Sequence, residues 1–179
     1  RIGKGLIDSR GESIRRQLMT DHDIMVTEVR STLGYLVKGE LDTTSLNRAA
    51  DELFSDPVLE YVTVETSFLD NGAFENPPDV SILIGFKPGV TDNRAQAALD
   101  GFRTLFPEQI DVEISTTLGV HFWDVPSNVD ADWLAGQLHN PLIERAVIAD
   151  RRGIRNDPWP KLSFPERPPL DSTEPKIID

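Results

Sequence analysis

Four carboxylates recur along this chain at one interval: Asp8 is spaced from Asp92 as Glu60 is from Glu144. Paired carboxylates are the usual equipment of general acid–base chemistry, one protonated and one ionised. Arg10 and Arg94 keep the same interval and would either pair with acids across the repeat or stay solvated. One active site rarely needs two copies of each part, so acids repeated at a fixed spacing read as parts of a repeated fold. Asp8 and Asp92 stand just before helical patterns, where a carboxylate accepts a bond from an orphan N–H of the first turn. Capping is their expected role.

Other chemistry has weaker support. Gly3-Lys4-Gly5 is too short for a phosphate loop, which needs a longer glycine-spaced pattern ending in Lys-Ser or Lys-Thr. His22, His121 and His139 fall in unrelated elements and lack metal-ligand spacing. His121 lies in a strand where either face is open to it, and His139 replaces Ser55 of the other copy, as a tolerant surface position would. The chain has no cysteine, which excludes disulfides, a thiolate zinc site and a cysteine nucleophile, and fits a cytoplasmic origin. No catalytic, cofactor-binding or metal-binding residue is expected here.

Thirty acidic against 18 basic residues leave a net charge of −12. Nucleic-acid binding needs a basic footprint to displace phosphate counterions, so nucleic acid is excluded as a partner. No apolar run approaches the roughly 20 residues of a membrane helix, and no signal peptide is visible.

The repeat sets the organisation. Gly5, Asp8 and Arg10 match Gly89, Asp92 and Arg94 of Lys87-Pro-Gly-Val-Thr-Asp-Asn-Arg94; Ser31-Thr-Leu-Gly34 matches Thr116-Thr-Leu-Gly119; Asp56-Pro57-Val-Leu-Glu60 matches Asn140-Pro141-Leu-Ile-Glu144. Three motifs in one order, with an offset that slips by a single position at the middle motif, indicate a tandem duplication. Residues 79–86 form a β-branched apolar run that reads as a strand. Its counterpart would begin before Arg1, so the first copy is expected to start part-way along a strand of a longer native chain.

Helical stripes follow the caps: Ile14 and Leu18 in the first copy, and Ala95, Ala98, Leu99, Phe102 and Phe106 in the second. Next come strands, Ile24 to Arg30 and 110–115, running to Gly34 and Gly119, then further strand-like runs, Tyr35 to Leu41 and Val120 to Val125. The two glycines are therefore expected at hairpins or bulges. Second helices, striped by Leu46, Ala49, Ala50, Leu53 and Phe54 or by Ala131, Leu134, Ala135 and Leu138, stop before Pro57 and Pro141. Strands Val58–Glu65 and Leu142–Ala149 close each unit.

Each unit thus reads β-α-β-β-α-β, an α+β, ferredoxin-like layout with an antiparallel sheet and helices on one face. The second copy is the expected cover for the other face. The predicted boundaries are 1–70 for the first repeat, 71–79 for a connector, 80–150 for the second repeat and 151–179 for a linker. Six prolines between Pro158 and Pro175 keep that linker extended. Trp159, Leu162 and Phe164 are its candidate anchors.

Taken in order, these motifs resemble the PurS family, the small subunit of phosphoribosylformylglycinamidine synthase. The resemblance spans about residues 1–150 and rests on Lys87, Gly89, Asp92 and Arg94, on Gly119, and on Asn140, Pro141 and Glu144. The first copy adds Gly5, Asp8, Arg10, Gly34, Asp56, Pro57 and Glu60. It departs at residues 3 and 4, which are Gly and Lys where the second copy has Lys87 and Pro88. The resemblance implies a non-catalytic scaffold in a glutamine- and ATP-dependent ligase of purine synthesis. Its partners would be the synthetase and glutaminase domains or subunits, with ATP and magnesium bound only by the synthetase. A regulatory module that binds a small molecule between paired units is the alternative.

Overall fold

A computed structural model describes residues 7–56, 60, 62–64, 74–152 and 162–166. In chain order these form α1 (Ser9–His22), β1 (Glu28–Lys38), α2 (Thr43–Ala49) continuing into a π-helical turn (Ala50–Phe54), β2 (Val80–Phe86), α3 (Asn93–Leu105), β3 (Glu113–Trp123), α4 (Ala131–Leu138) and β4 (Glu144–Asp150). The strands make one antiparallel sheet in the order β1-β3-β2-β4. The fold is mixed α+β. The expected strand before residue 7, Gly5, Pro57 and most of Val58–Glu65 lie outside the described residues.

Strand alternation sends successive side chains to opposite faces. On β3, Ile114, Leu118, Val120 and Phe122 point to the helices, as do Val29 and Val37 of β1. Two cores lie side by side on that face. In one, Leu18 of α1 and Leu134 of α4 meet Val29, Ile82, Val120 and Phe122. The other joins Ala49 of α2 with Phe102, Phe106 and Val112. His22 and Trp133 meet edge-on at 4.9 Å in the first, and the Arg48 guanidinium lies 5.4 Å from the Phe106 ring in the second. Each core therefore mixes a helix from either half of the chain. The helical stripes supply these contacts as their spacing predicts.

Two expectations need correction. Gly34 and Gly119 are neither hairpins nor bulges: β1 and β3 run straight through them, each as one strand of 11 residues. The second half is accordingly β-α-β-α-β. The glycines serve an interstrand contact, because Gly34 faces Thr117 and Thr32 faces Gly119 across the ladder. A Cβ at Gly34 would come within 2.4 Å of Thr117 Oγ1, and one at Gly119 within 2.2 Å of Thr32 Oγ1.

The other correction concerns the sheet's second face. The second half does not cover it but extends the same sheet, β1 joining β3 edge to edge. Chain segments cover it instead. Phe74 packs 5.0 Å from both the His121 and Trp123 rings, while Leu162 is buried over Gly85.

The β1–β3 register has a centre. Leu33 pairs with Leu118, its own counterpart in the repeat, and Glu28–Trp123 mirrors Lys38–Glu113. Pairs on either side of this point exchange under the shift that carries Leu33 onto Leu118, as a twofold axis there requires.

Candidate functional site

The repeated residues assemble into two ties in each half. Asp8 caps α1 by accepting from Gly11 N at 2.9 Å and also accepts from Ser31 of β1, through the backbone N–H and, at 3.0 Å, the hydroxyl. Asp92 does the same for α3 and β3: it accepts from Ala95 N at 2.9 Å and from the Thr116 N–H and hydroxyl, both at 2.8 Å. Each carboxylate thus satisfies an orphan donor of its helix and fastens that helix to the adjacent strand. The slip in the repeat offset falls between aspartate and strand, and both ties survive it.

The other tie closes a turn. Glu60 accepts from Asp56 N at 2.9 Å, and Glu144 from Asn140 N at 2.6 Å; in return, Glu60 N and Glu144 N donate to the carbonyls of residues 56 and 140. In the second half Lys87 joins this turn. Its backbone N–H donates to Ile143 O at 2.9 Å and its ammonium to Pro141 O. Gly89 supplies the left-handed conformation (φ 85°) that turns the chain from β2 towards α3. Motifs 87–94 and 140–144 are therefore neighbours, with Leu142, 83% exposed, on the outside of the corner.

Arg10 and Arg94 are exposed, and the ion pairs among the described residues do not include them. The charge of Arg94 nonetheless reaches Tyr35. Burial raises the phenol pKa, Arg94 opposes that rise, and Glu60 and Asp92 add to it. Tyr35 stacks on Phe54 at 4.5 Å.

His121 is fully buried on the face opposite the helices. Its Nε2 lies 3.0 Å from Thr32 Oγ1 and its Nδ1 3.0 Å from Ser81 Oγ. Burial drives its pKa down to about 3, only partly countered by the charge of Asp8, so the ring is neutral at pH 7 and bridges two hydroxyls. Sequence reasoning left its face open. Parity with Val120 and Phe122 identifies that face, but nothing local to residue 121 reveals that Phe74 roofs it. Ser31 and Thr116, the strand ends of the aspartate ties, were visible only as the first letters of a repeated motif.

Two cavities among the described residues differ widely in size. The one between α1 and α4, lined by Ile14, Leu18, Phe122, Leu134 and Leu138, holds about 10 Å³, space for roughly one water. An open hollow of about 560 Å³ lies beside Asp130, Asp132, Asp150 and Arg152. Arg152 is committed there, donating to Asp150 at 2.9 Å and to the carbonyls of Pro126 and Val129 at 2.7 and 2.6 Å. No three His, Asp or Glu side chains converge as metal ligands among the described residues, and no helix among them is long and apolar enough to cross a membrane. Neither a scan of protein-family models nor a search of curated proteins returns a match for this chain.

Proposed function

We propose that this chain is a PurS-like scaffold of phosphoribosylformylglycinamidine synthase, a tandem pair of ferredoxin-like units that organises the glutaminase and synthetase for ammonia transfer. The units would be residues 1–70 and 80–150, with a connector at 71–79 and a linker at 151–179. ATP and magnesium would be bound by the synthetase, and the work would be cytoplasmic.

One observation carries the reading. The residues of the family-like motifs make the same bonds in both halves, Asp8 to Ser31 as Asp92 to Thr116, about a register centred on Leu33 and Leu118. Groups engaged that way hold a fold; they do not turn over substrate. A paired unit presenting repeated surfaces suits a protein that joins others. The regulatory alternative wants a cavity between the halves, and the space between α1 and α4 admits about one water.

The test mixes the purified chain with the glutaminase and synthetase of its own source. Co-elution is expected, together with amidation that uses glutamine only when all three are present. Ammonia-driven amidation by the synthetase should not depend on the chain. Failure to co-elute, with glutamine-driven rates unchanged, would overturn the proposal.

A further inference from the structure

Residues 162–166, Leu-Ser-Phe-Pro-Glu, cross the sheet on the face away from the helices and touch both halves of the chain. Leu162 is 7% exposed. Its Cδ2 stands 2.4 Å from where a Cβ on Gly85 would be, so any side chain at residue 85 would crowd the seat it occupies. Arg145 of β4 donates to Ser163 Oγ at 3.1 Å and to the Ser163 carbonyl, while its Nε reaches Phe86 O at 3.3 Å. At the far end, Lys38 of β1 lies 5.6 Å from the Phe164 ring and 3.5 Å from Glu166. The same ammonium is 3.7 Å from Glu113 of β3. The segment therefore starts on β2 and β4, in the second half, and ends on β1, in the first.

The bonds holding it are of an exchangeable kind. One aliphatic anchor enters a fitted seat, one guanidinium grips a serine, and one exposed ammonium meets an acid. Within 162–166 the backbone bond is Glu166 N to Phe164 O at 2.9 Å, internal to the segment, and no strand pairing ties it to the sheet. The ladders beneath, β1–β3 and β2–β3, are complete without it.

We propose that this surface is a recognition site for an extended peptide, and that residues 162–166 occupy it as a detachable clasp across the junction of the two halves. The recognised pattern is an aliphatic anchor, serine, an aromatic, proline and an acid. Gly85 and Arg145 read the first two positions, and Lys38 reads the aromatic and the acid. This inference does not depend on the scaffold reading and can fail separately from it.

The test uses the full chain carrying Leu162→Asp, followed by hydrogen exchange and limited proteolysis. Amides of 162–166 should exchange about tenfold faster or more, and protease should cut there, while β2 and β3 keep their protection. Gly85→Ala should produce the same release from the other side, and adding Leu162→Ala to it should reseat the segment. A fluorescently labelled synthetic peptide of residues 160–168 should bind the Leu162→Asp chain, read as a rise in its anisotropy; the same peptide with Leu162→Asp should not. Unchanged exchange in both variants would overturn the proposal. So would loss of protection throughout the sheet, since the segment would then be core, and so would an inert wild-type peptide.

Discussion

The most informative single residue is His121. Both ring nitrogens face hydroxyls, Thr32 and Ser81, so the neutral ring needs one of them to donate and the other to accept. Protonation would place a charge at a site buried from solvent, hence a pKa near 3 in the fold against 6.5 for a free ring. The linkage has a definite sign. Above pH 6.5 the ring is neutral in both states and its burial costs nothing in proton affinity; below, the unfolded chain binds a proton that the fold refuses. Stability should therefore fall as pH drops from 6.5 towards 3, by about 1.4 kcal/mol per unit from this group. Urea midpoints measured at pH 7.5, 6 and 5 should show that fall, and His121→Gln should flatten it. Equal slopes for the two proteins would mean that other groups govern acid sensitivity.

At the scale of elements, helices and strands differed in how much the sequence revealed. Helices announced themselves, because Asp8 and Asp92 cap locally and the stripes through Leu18 and Phe102 repeat with helical period. The long strands did not. Gly34 and Gly119 look like punctuation to a reader moving along the chain, whereas their cause lies across the ladder in Thr117 and Thr32. The second roles of the two aspartates were hidden for the same reason, since Ser31 and Thr116 are 23 and 24 residues away. Asp92→Ala removes both a helix cap and a strand tie. It should cost about 1–3 kcal/mol, the cap alone contributing about 0.5–2. Asp8→Ala should cost a similar amount, because its bonds are equivalent. Urea unfolding of the two variants checks both numbers, and a loss under about 0.5 kcal/mol in either would show that water replaces the tie.

For the whole molecule, the division into repeats is not a division into independent cores. α1 packs beside α4 and α2 beside α3, while β1 and β3 run beneath both clusters. Neither half buries its apolar face alone, so the described fold should unfold as one unit. Tyr35 reports on the first half, and Trp123 and Trp133 on the second; their transitions in urea should coincide. Phe102→Ala, at a fully buried position, should shift both signals together by about 3–5 kcal/mol. Two separate midpoints would show halves that fold on their own.

The centred register also bears on how such a chain can change. In a dimer of identical subunits, one codon writes both positions related by the axis, so a substitution that suits one end of the sheet is imposed on the other. Here the positions are written separately. His121 stands where its counterpart in the first half is Leu36, and these two pair with Arg30 and Ser115 respectively. Positions related by the register centre can therefore differ at the two ends of the sheet. One end now encloses a histidine beneath Phe74, and the other is crossed by residues 162–166.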